Sequence, residues 1–559
     1  MKHVKKILAI ALTLGMVLSV VACGQTTETT KKKKKKKTKK TTTTITETTE
    51  EPGLSTSYET DPPSDSTSET QMPTATLSPD FKAPEKSCAI AIPTEERYQY
   101  VMDLTLDEKE NTVGGHVEVT FFNNSDESWD ELCLRDYSSL FVDADTSGIT
   151  YVNETNGALT EITNITDRRD KSKIEMRRDN DVSVVWFPLS KVLAPKEKMT
   201  LSYDFVAKIP TLADRYGVKN GVFNVTNFYP ILAVYTENGW SHEAFYNEGE
   251  CFFSEVSDYE VTLRVPKDFT ALTTGTASSE KTEGSSKIYT IDAPCVRDFV
   301  FSACETFDIL EGDYNGVHIN VAYNSAHPAT KEMEEVQAAS LKASQDSLAA
   351  LGSAFGEYPY PEVDVILATI DAGGMEYPNL VIITDDQYYT RKNAYETIPY
   401  EELGVTIAHE LGHQWFMGIV GNNSGLEPWL DESFASYSET VYEAWVGLKD
   451  RYENFSRDSN DLVYIDNMAY YPELPINRSR YAFPNMNDYL NAVYFTGKAA
   501  LFQMGEIIGR DEFNGVVREY VKRNAFTNST EERFFEVLYE CAGKDNEYLN
   551  LLIKNVFNR

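Results

Sequence analysis

A single twelve-residue stretch, VTIAHELGHQWF, limits what this chain can fold into more than any other feature. Apolar residues spaced by four, one just before the stretch and two within it, predict a helix with one face in a protein core: Leu403, Ile407 and Leu411. His409 and His413 are also four residues apart, so the helix carries both imidazoles on another face, one turn from each other. Two imidazoles on one face can supply two ligands of a tetrahedral zinc ion. The stretch therefore predicts a helix with one side in a core and the other lining a metal-binding cleft.

Glu410 adds a catalytic group to the two histidines. It lies one step around the helix, where it is poorly placed to be a ligand but can reach a water held by a metal. A histidine ligand, a glutamate base directly after it and a second histidine ligand three residues further on form the HExxH arrangement. The pattern alone arises by chance in about one in a hundred chains of this length, and two core histidines bonded to carbonyl groups are then the alternative. A third ligand is needed to decide between the two.

Glu432 is the candidate third ligand, and eighteen residues separate it from His413. The segment GIVGNNSG predicts a turn, and WLDESFASYSETVYEAW predicts a second helix that brings the carboxylate back to the metal. Two histidines and one carboxylate leave one coordination position for water, as in catalytic zinc sites. A solvated surface carboxylate is the alternative, but Trp429 and Phe434 flank Glu432 and favour burial.

The hydrophobic pattern divides the rest of the chain into two regions. Apolar and polar residues alternate through the first region, as in YQYVMDLTLDEKENTVGGHVEVTFFNN, where we predict a strand, a turn at Gly114 and Gly115, and a second strand. Helical spacing follows, for example in ATKEMEEVQAASLKASQDSLAALGSAF. These patterns predict an α+β multidomain fold, with an antiparallel β domain at residues 89–310 and a mainly helical domain at residues 311–559.

The N-terminal segment has the pattern of a secretion signal. Three lysines precede the apolar run ILAIALTLGMVLSVV, which is short for a membrane span and has the length of a signal-peptide core. The run ends in VVACG, which resembles a bacterial lipoprotein cleavage box. This resemblance implies removal of residues 1–22, lipidation of Cys23 and a location on the extracytoplasmic face of the cell membrane. An ordinary secretory signal is the alternative, and it also predicts a protein outside the cytoplasm.

Residues 23–88 are predicted to form a disordered tether. The segment is rich in Lys, Thr, Ser and Pro and holds almost no large apolar residues, so burial cannot offset its ordering entropy. Its lysine run can bind anionic lipid headgroups or act as a soluble spacer, and both interpretations stay open.

Net charge and cysteine positions limit the partners and crosslinks of the chain. The formal net charge is −35, which argues against nucleic acid as a partner. Six cysteines besides Cys23 are spread along the sequence without zinc-knuckle spacing. Cys295 and Cys304 can pair across neighbouring strands, or both can be buried free thiols.

Four ordered motifs resemble the gluzincin aminopeptidase family, which includes aminopeptidase N and leukotriene hydrolase. They are FGEYPYPEVDVILATIDAGGMEYPNL, HELGHQWF, WLDESFASY and VYFTGKAALFQMG. The resemblance covers roughly residues 95–559. It implies an N-terminal β-saddle domain followed by a thermolysin-like, mainly helical zinc catalytic domain. It also implies one zinc ion per chain and peptide substrates.

The resemblance assigns roles to individual residues. It implies that His409, His413 and Glu432 bind zinc. Glu410 is then the general base that takes a proton from the attacking water and passes it to the leaving amine. Tyr494 is implied to donate a hydrogen bond to the oxyanion as its charge develops.

A second group of residues is implied to bind the substrate. Gly373 and Gly374 permit close approach of a peptide backbone. Glu376 is implied to hold the free α-ammonium group, which makes the enzyme an exopeptidase. A buried ammonium needs a second acceptor, and the resemblance leaves three candidates: Glu243, Glu248 and Glu250.

The motifs depart from the family pattern at three points. Tyr377 stands where the family usually has Asn, and YFTG lacks the Lys that usually precedes its Gly. The sequence also ends at Arg559, where family members continue with further domains that roof the cleft. Because Glu376 and the full set of metal-binding residues, base and tyrosine are present, we predict a zinc aminopeptidase at the cell surface. A zinc endopeptidase with an open cleft and a catalytically silent, lipid-anchored peptide-binding protein are the alternatives.

Overall fold

The alternating apolar residues of the first region form strands in the computed structural model. The model describes residues 81–142, 158–246, 249–385, 400–448 and 475–559. In the first strand, Tyr98–Asp107, every second side chain is buried, beginning with Tyr98. The predicted signal peptide, Cys23 and most of the predicted tether lie outside the described residues.

Eighteen strands and a 3₁₀ turn at Tyr137–Phe141 make up the described part of the first region. The strands are β1 Tyr98–Asp107, β2 Thr112–Phe122, β3 Trp129–Arg135, β4 Glu161–Asp167, β5 Ser172–Lys173, β6 Arg177–Arg178, β7 Val184–Leu193, β8 Lys198–Lys208, β9 Gly217–Lys219, β10 Val222–Val225, β11 Ile231–Leu232, β12 Tyr235–Thr236, β13 Gly239–Trp240, β14 Ser257–Pro266, β15 Thr270–Thr273, β16 Thr276–Glu283, β17 Ser286–Val296 and β18 Phe301–Cys304.

These strands form one large sheet and several smaller sheets. The large sheet has eight strands in the order β16-β17-β14-β1-β2-β8-β4-β5, and its only parallel pair in the described residues is β1 with β14. Two four-stranded sheets have the orders β15-β18-β10-β9 and β11-β3-β7-β6, and β12 pairs with β13. The region is therefore antiparallel and β-rich, as the sequence pattern predicts.

The predicted turn at Gly114 and Gly115 is wrong. Both glycines lie inside β2, and the chain reverses earlier, between Asp107 and Thr112. A Cβ atom on Gly115 would lie 1.9 Å from the carbonyl oxygen of Asp103 on the neighbouring strand. These glycines serve close strand approach rather than chain reversal, a second use of glycine in sheets.

The second region combines a smaller sheet with helices. Its strands are β19 Phe307–Tyr314, β20 Val317–Asn324, β21 Glu362–Ala368, β22 Gly374–Tyr377, β23 Leu380–Thr384, β24 Val420–Gly421 and β25 Thr527–Asn528. Its α-helices are α1 Met333–Phe355, α2 Glu401–Gly412, α3 Trp429–Val446, α4 Met486–Tyr489, α5 Gly497–Ile508, α6 Arg510–Asn524, α7 Glu531–Ala542 and α8 Glu547–Phe557. A 3₁₀ turn lies at Arg480–Ala482, and a π-helical segment, Leu490–Thr496, joins α4 to α5.

The five-stranded sheet positions the helix that carries the histidines. Its order is β19-β20-β21-β23-β22, so β22 lies at an edge. Helix α2 packs against β22 and β23 on one side and against α1 and α3 on the others. Leu403, Ile407 and Leu411 are fully buried in this contact, as their spacing predicts. The predicted domain boundary at residue 310 falls inside β19 and stays a prediction.

One apolar cluster joins the two regions. It contains Val222, Leu272 and Val300 from the first region and Ile366, Leu380 and Ile382 from the five-stranded sheet. The six cysteines of the described residues are free thiols, including Cys295 and Cys304. Among the described residues, no helix has the length and hydropathy needed to cross a membrane.

Candidate metal centre and active site

The two histidines and Glu432 meet at one point. His409 lies near the end of α2 and His413 caps it, and their Nε2 atoms are 3.2 Å apart. Glu432 lies in the first turn of α3. Its Oε2 atom is 3.3 Å from His409 Nε2 and 3.5 Å from His413 Nε2. The structure thus brings together all three residues that the sequence predicts as ligands.

A carboxylate on the far side of each ring orients both imidazoles. His409 Nδ1 lies 2.8 Å from Glu439 Oε1, and His413 Nδ1 lies 2.7 Å from Asp431 Oδ1. A carboxylate can only accept, so each Nδ1 donates and each Nε2 presents its lone pair to the shared point. The sequence analysis missed both carboxylates, although Glu439 follows Asp431 by eight residues on one helix face.

The convergence of three acceptor atoms fits a metal cation. Among the described residues, the buried Glu432 Oε2 atom accepts no hydrogen bond. Two imidazole lone pairs and this carboxylate oxygen face one another, an arrangement that a cation stabilises and that is unfavourable without positive charge. Two nitrogen ligands and one oxygen ligand form the donor set of catalytic zinc sites.

The pKa shifts of His409 and Glu432 also indicate a site that favours positive charge. Burial lowers the pKa of His409, but the nearby carboxylates of Glu432 and Glu439 outweigh burial and raise it to about 10. Burial raises the pKa of Glu432, but the two histidines outweigh burial and hold it well below its usual value. The surrounding carboxylates therefore favour a proton or a metal ion at this point.

Glu410 lies beside the histidines on the side of the edge strand. One carboxylate oxygen of Glu410, one of Glu376 and one ring nitrogen of His413 lie within 4.8 Å of one another. Burial raises the pKa of Glu410 to about 7, against the opposing effect of His409 and His413. A carboxyl group with this pKa can both accept and return a proton near neutral pH.

Tyr494 reaches the site from the π-helical segment. Its ring stacks on the His409 ring, with centroids 5.9 Å apart and an interplanar angle of 4°. Burial and the charge of Glu432 raise the pKa of Tyr494 well above its usual value. The hydroxyl therefore keeps its proton and can donate it in a hydrogen bond. A π-helical turn inside a helical segment is frequent at functional sites.

The predicted substrate-binding residues are Glu376 and Gly374 in the edge strand β22 and Gly373 directly before it. Glu376 is 7% exposed, and burial together with the Glu250 charge raises its pKa well above the usual value. Gly374 lies against the Glu410 side chain, whereas a Cβ atom on Gly373 would meet nothing within 4 Å. Gly373 is thus the open position, and Gly374 makes room for Glu410.

Tyr377, which departs from the family pattern, has a role in packing. Its hydroxyl lies 2.9 Å from Thr226 Oγ1 and 2.8 Å from Asn227 Oδ1. Both partners follow β10, so the tyrosine connects the end of the edge strand to the first region.

Glu250 is the candidate that the structure brings beside Glu376. Both line one cavity, together with Arg215, which forms a two-pronged ion pair with Glu250 that includes an Nη1–Oε2 contact of 2.7 Å. Glu243 accepts a hydrogen bond from Ser241 and is not among the described residues lining this cavity. Glu248 lies outside the described residues. No sequence motif marks Arg215, which approaches the site from the loop before β9.

Comparison with known proteins identifies the region that carries this site. Residues 339–559 match the model of the peptidase family M1 domain. This region is a family M1 peptidase domain. The M1 domain contains the three predicted ligands, Glu376, Glu410 and Tyr494, whereas Glu250 and Arg215 precede it, and the gluzincin resemblance seen in the motifs is confirmed.

Aminopeptidases are among the curated relatives that resemble this chain. Aminopeptidase M1-B of Oryza sativa subsp. japonica is 25% identical over 296 residues, which cover 51% of this chain and 33% of that protein. Aminopeptidase N of Streptomyces lividans is 30% identical over 197 residues, covering 34% and 22% of the two chains. Aminopeptidase N of Homo sapiens is 26% identical over 209 residues, covering 36% and 21%. The chain matches about a third of the length of the plant relative, and less of the other two.

Solved structures of similar fold extend over most of both chains. The M1 zinc metallopeptidase from Deinococcus radiodurans has a TM-score of 0.54 at 16% identity and covers 84% of this chain and 96% of its own. A mutant of that enzyme bound to a Tyr-Ser-Ala substrate has a TM-score of 0.56 at 17% identity, with coverages of 85% and 97%. The predicted fold class, a β-rich domain followed by a mainly helical domain, is confirmed.

Proposed function

We propose that this protein is a zinc-dependent aminopeptidase, which hydrolyses peptides from their N-terminus. One observation carries the proposal above all others. The Nε2 atoms of His409 and His413 and the unsatisfied Glu432 Oε2 converge beside Glu410 and Glu376. This arrangement places a metal site, a base and an anionic subsite next to one another.

His409, His413 and Glu432 would hold the zinc ion. When bound, zinc polarises the scissile carbonyl and acidifies the attacking water. Glu410 accepts the proton of that water and returns it to the leaving amine, a task that its pKa of about 7 suits. The Tyr494 hydroxyl donates a hydrogen bond to the carbonyl oxygen as negative charge develops there.

Preference for the N-terminus comes from Glu376 and Glu250. The substrate α-ammonium loses its hydration in this buried cleft and needs acceptors close by. Glu376 is one acceptor on the edge strand, and Glu250 is the second, held by Arg215. A peptide without a free amino group forms no ion pair with these carboxylates and binds less well.

The test is a comparison of one peptide in its free and N-acetylated forms. We expect the free peptide to be cleaved at its first bond and the acetylated peptide to resist cleavage. Equal cleavage of both forms would contradict the aminopeptidase assignment and indicate an endopeptidase. E410Q should bind zinc but lose turnover by about 10²–10⁴-fold, which is the usual contribution of general acid–base catalysis. Binding of peptide without turnover by the wild-type protein would indicate a silent binding protein.

We further propose that the protein acts at the extracytoplasmic face of the cell membrane, anchored through Cys23. The support is the signal-like N-terminus and its VVACG sequence. Fractionation of cells that express the full chain tests this location. The wild-type protein should be recovered with membranes, and C23S should be released in soluble form. Equal membrane association of the two would contradict the lipid anchor.

A further inference from the structure

A buried lysine lies behind one of the two histidines. Lys498 is 9% exposed, and its Nζ atom lies 2.6 Å from Glu439 Oε2. The other oxygen of the same carboxylate, Oε1, accepts the His409 Nδ1–H bond at 2.8 Å. Lysine, carboxylate and imidazole therefore form one hydrogen-bonded chain that ends at the shared point of the three predicted ligands.

The two histidines differ in what stands behind their carboxylates. Asp431, which orients His413, accepts its second hydrogen bond from the neutral Ser424 hydroxyl at 2.8 Å. Glu439, which orients His409, is held by a full positive charge. Among these contacts, a cationic side chain binds the carboxylate behind His409 but not the one behind His413.

The backbone around Lys498 explains how the lysine arrives there. It is the second residue of α5, directly after the π-helical segment that carries Tyr494. Glu439 lies two turns along α3 from Glu432. Helices α3 and α5 pack against each other. The Lys498–Glu439 contact between them therefore links the segment that carries Tyr494 to the carboxylate that binds His409 Nδ1.

We propose that Lys498 is a positioning residue for His409: by anchoring the Glu439 carboxylate, it keeps the imidazole directed at the metal position. The inference rests on the proposed function, since it assumes that His409 binds zinc. The Glu439 carboxylate lies at the end of a flexible side chain. One of its oxygens accepts the hydrogen bond from His409, and the other remains for a second donor. The ammonium binds that oxygen and limits the rotation of the carboxylate, and therefore of the ring.

Electrostatics and positioning predict opposite effects when the lysine loses its charge. An ammonium group repels a divalent cation, so its removal would tighten zinc binding if charge were all that mattered. Loss of an anchored outer carboxylate typically weakens metal binding 10–100-fold. The direction of the change in zinc affinity therefore separates the two effects.

The experiment measures zinc affinity of the full chain by competition with a chelator, independently of peptidase activity. K498M keeps an unbranched side chain, one atom shorter than that of lysine, and removes the charge. We expect its zinc dissociation constant to rise on the order of 10-fold. In an E439Q background, where the carboxylate is already lost, adding K498M should cause no further weakening, because the lysine acts through Glu439. Unchanged or tighter zinc binding in K498M would overturn the proposal, as would an equal loss in both backgrounds.

Thermal unfolding of the metal-free and zinc-loaded proteins separates positioning from general stability. A positioning role predicts that K498M reduces the gain in melting temperature on zinc binding. An equal drop in melting temperature for both forms, with the zinc-induced gain intact, would show a merely structural ion pair and overturn the proposal. A wild-type protein that binds no zinc would overturn the proposed function and this role together. A wild-type protein that binds zinc as K498M does would overturn only the role of Lys498.

Discussion

Gly374 lies directly against the carboxylate of Glu410. A Cβ atom at residue 374 would be 2.3 Å from Glu410 Oε1, far inside van der Waals contact. The edge strand and the histidine helix therefore approach each other closely at the Glu410 side chain. The absence of a side chain on the strand makes room for the carboxylate that we propose as the base.

G374A should reduce kcat by about 100-fold while zinc binding is retained. The added methyl group displaces the Glu410 carboxylate, and a displacement of about 1 Å can cost this much in rate. Steady-state kinetics and metal analysis of the purified variant check the prediction. G352A is the matched control, because a Cβ atom there would come no closer than 3.8 Å to its nearest neighbour, Glu357. Full activity in G374A would show that the close contact with Gly374 does not fix the position of Glu410.

Y494F should lower kcat by about 10²–10³-fold and change KM little. The phenol proton stabilises negative charge only as it develops on the carbonyl oxygen, so the loss falls on the transition state. Y539F removes a hydroxyl from α7, which contributes no residue to the site, and should keep wild-type kinetics. A large rise in KM with unchanged kcat would instead assign Tyr494 to substrate binding.

E250Q should raise KM for free-amine peptides by roughly 10–100-fold. Hydrogen bonds to charged groups contribute about 1.5–3 kcal/mol, and the substitution removes the negative charge that faces the substrate ammonium. E243Q is the control, since Glu243 was an equal candidate in the sequence but bonds to Ser241 instead. The KM of the acetylated peptide should not change in either variant. The same KM rise in E243Q and E250Q would contradict the assigned subsite.

E432A should abolish the stabilisation of the protein by zinc. A ligand that binds only the folded state adds about 2.7 kcal/mol at one hundred times its dissociation constant. We therefore expect a strong chelator to lower the melting temperature of the wild-type protein and to leave that of E432A unchanged. E334A, at an exposed position on α1, should retain the wild-type response. A zinc-dependent shift in E432A equal to that of the wild type would exclude Glu432 as a ligand.

Local periodicity determined much of the metal centre. Because an α-helix turns 100° per residue, the four-residue spacing of His409 and His413 places both on one face whatever surrounds them. The turn and second helix after them predicted the return of Glu432. Burial of Leu403, Ile407 and Leu411 followed from the same helical period. The β-rich first region was likewise visible in its alternating side chains.

Contacts between distant segments were decided only in the tertiary structure. Glu250 was one of three equal candidates in the sequence, and its pairing with Arg215 depends on how two loops of the first region fold back. Gly115 resembled a turn residue, but its neighbour Asp103 shows that it permits close strand contact. Period-two alternation identifies strands without specifying where a neighbouring strand passes close to a glycine.

The sequence by itself thus determined which residues lie on one helix face, because that geometry repeats with the backbone. The tertiary structure alone decided that Lys498 stands behind Glu439 and that Gly374 faces Glu410. These pairs join residues 59 and 36 positions apart along the chain. No local period encodes such a contact, since it arises from the packing of whole helices and strands against one another.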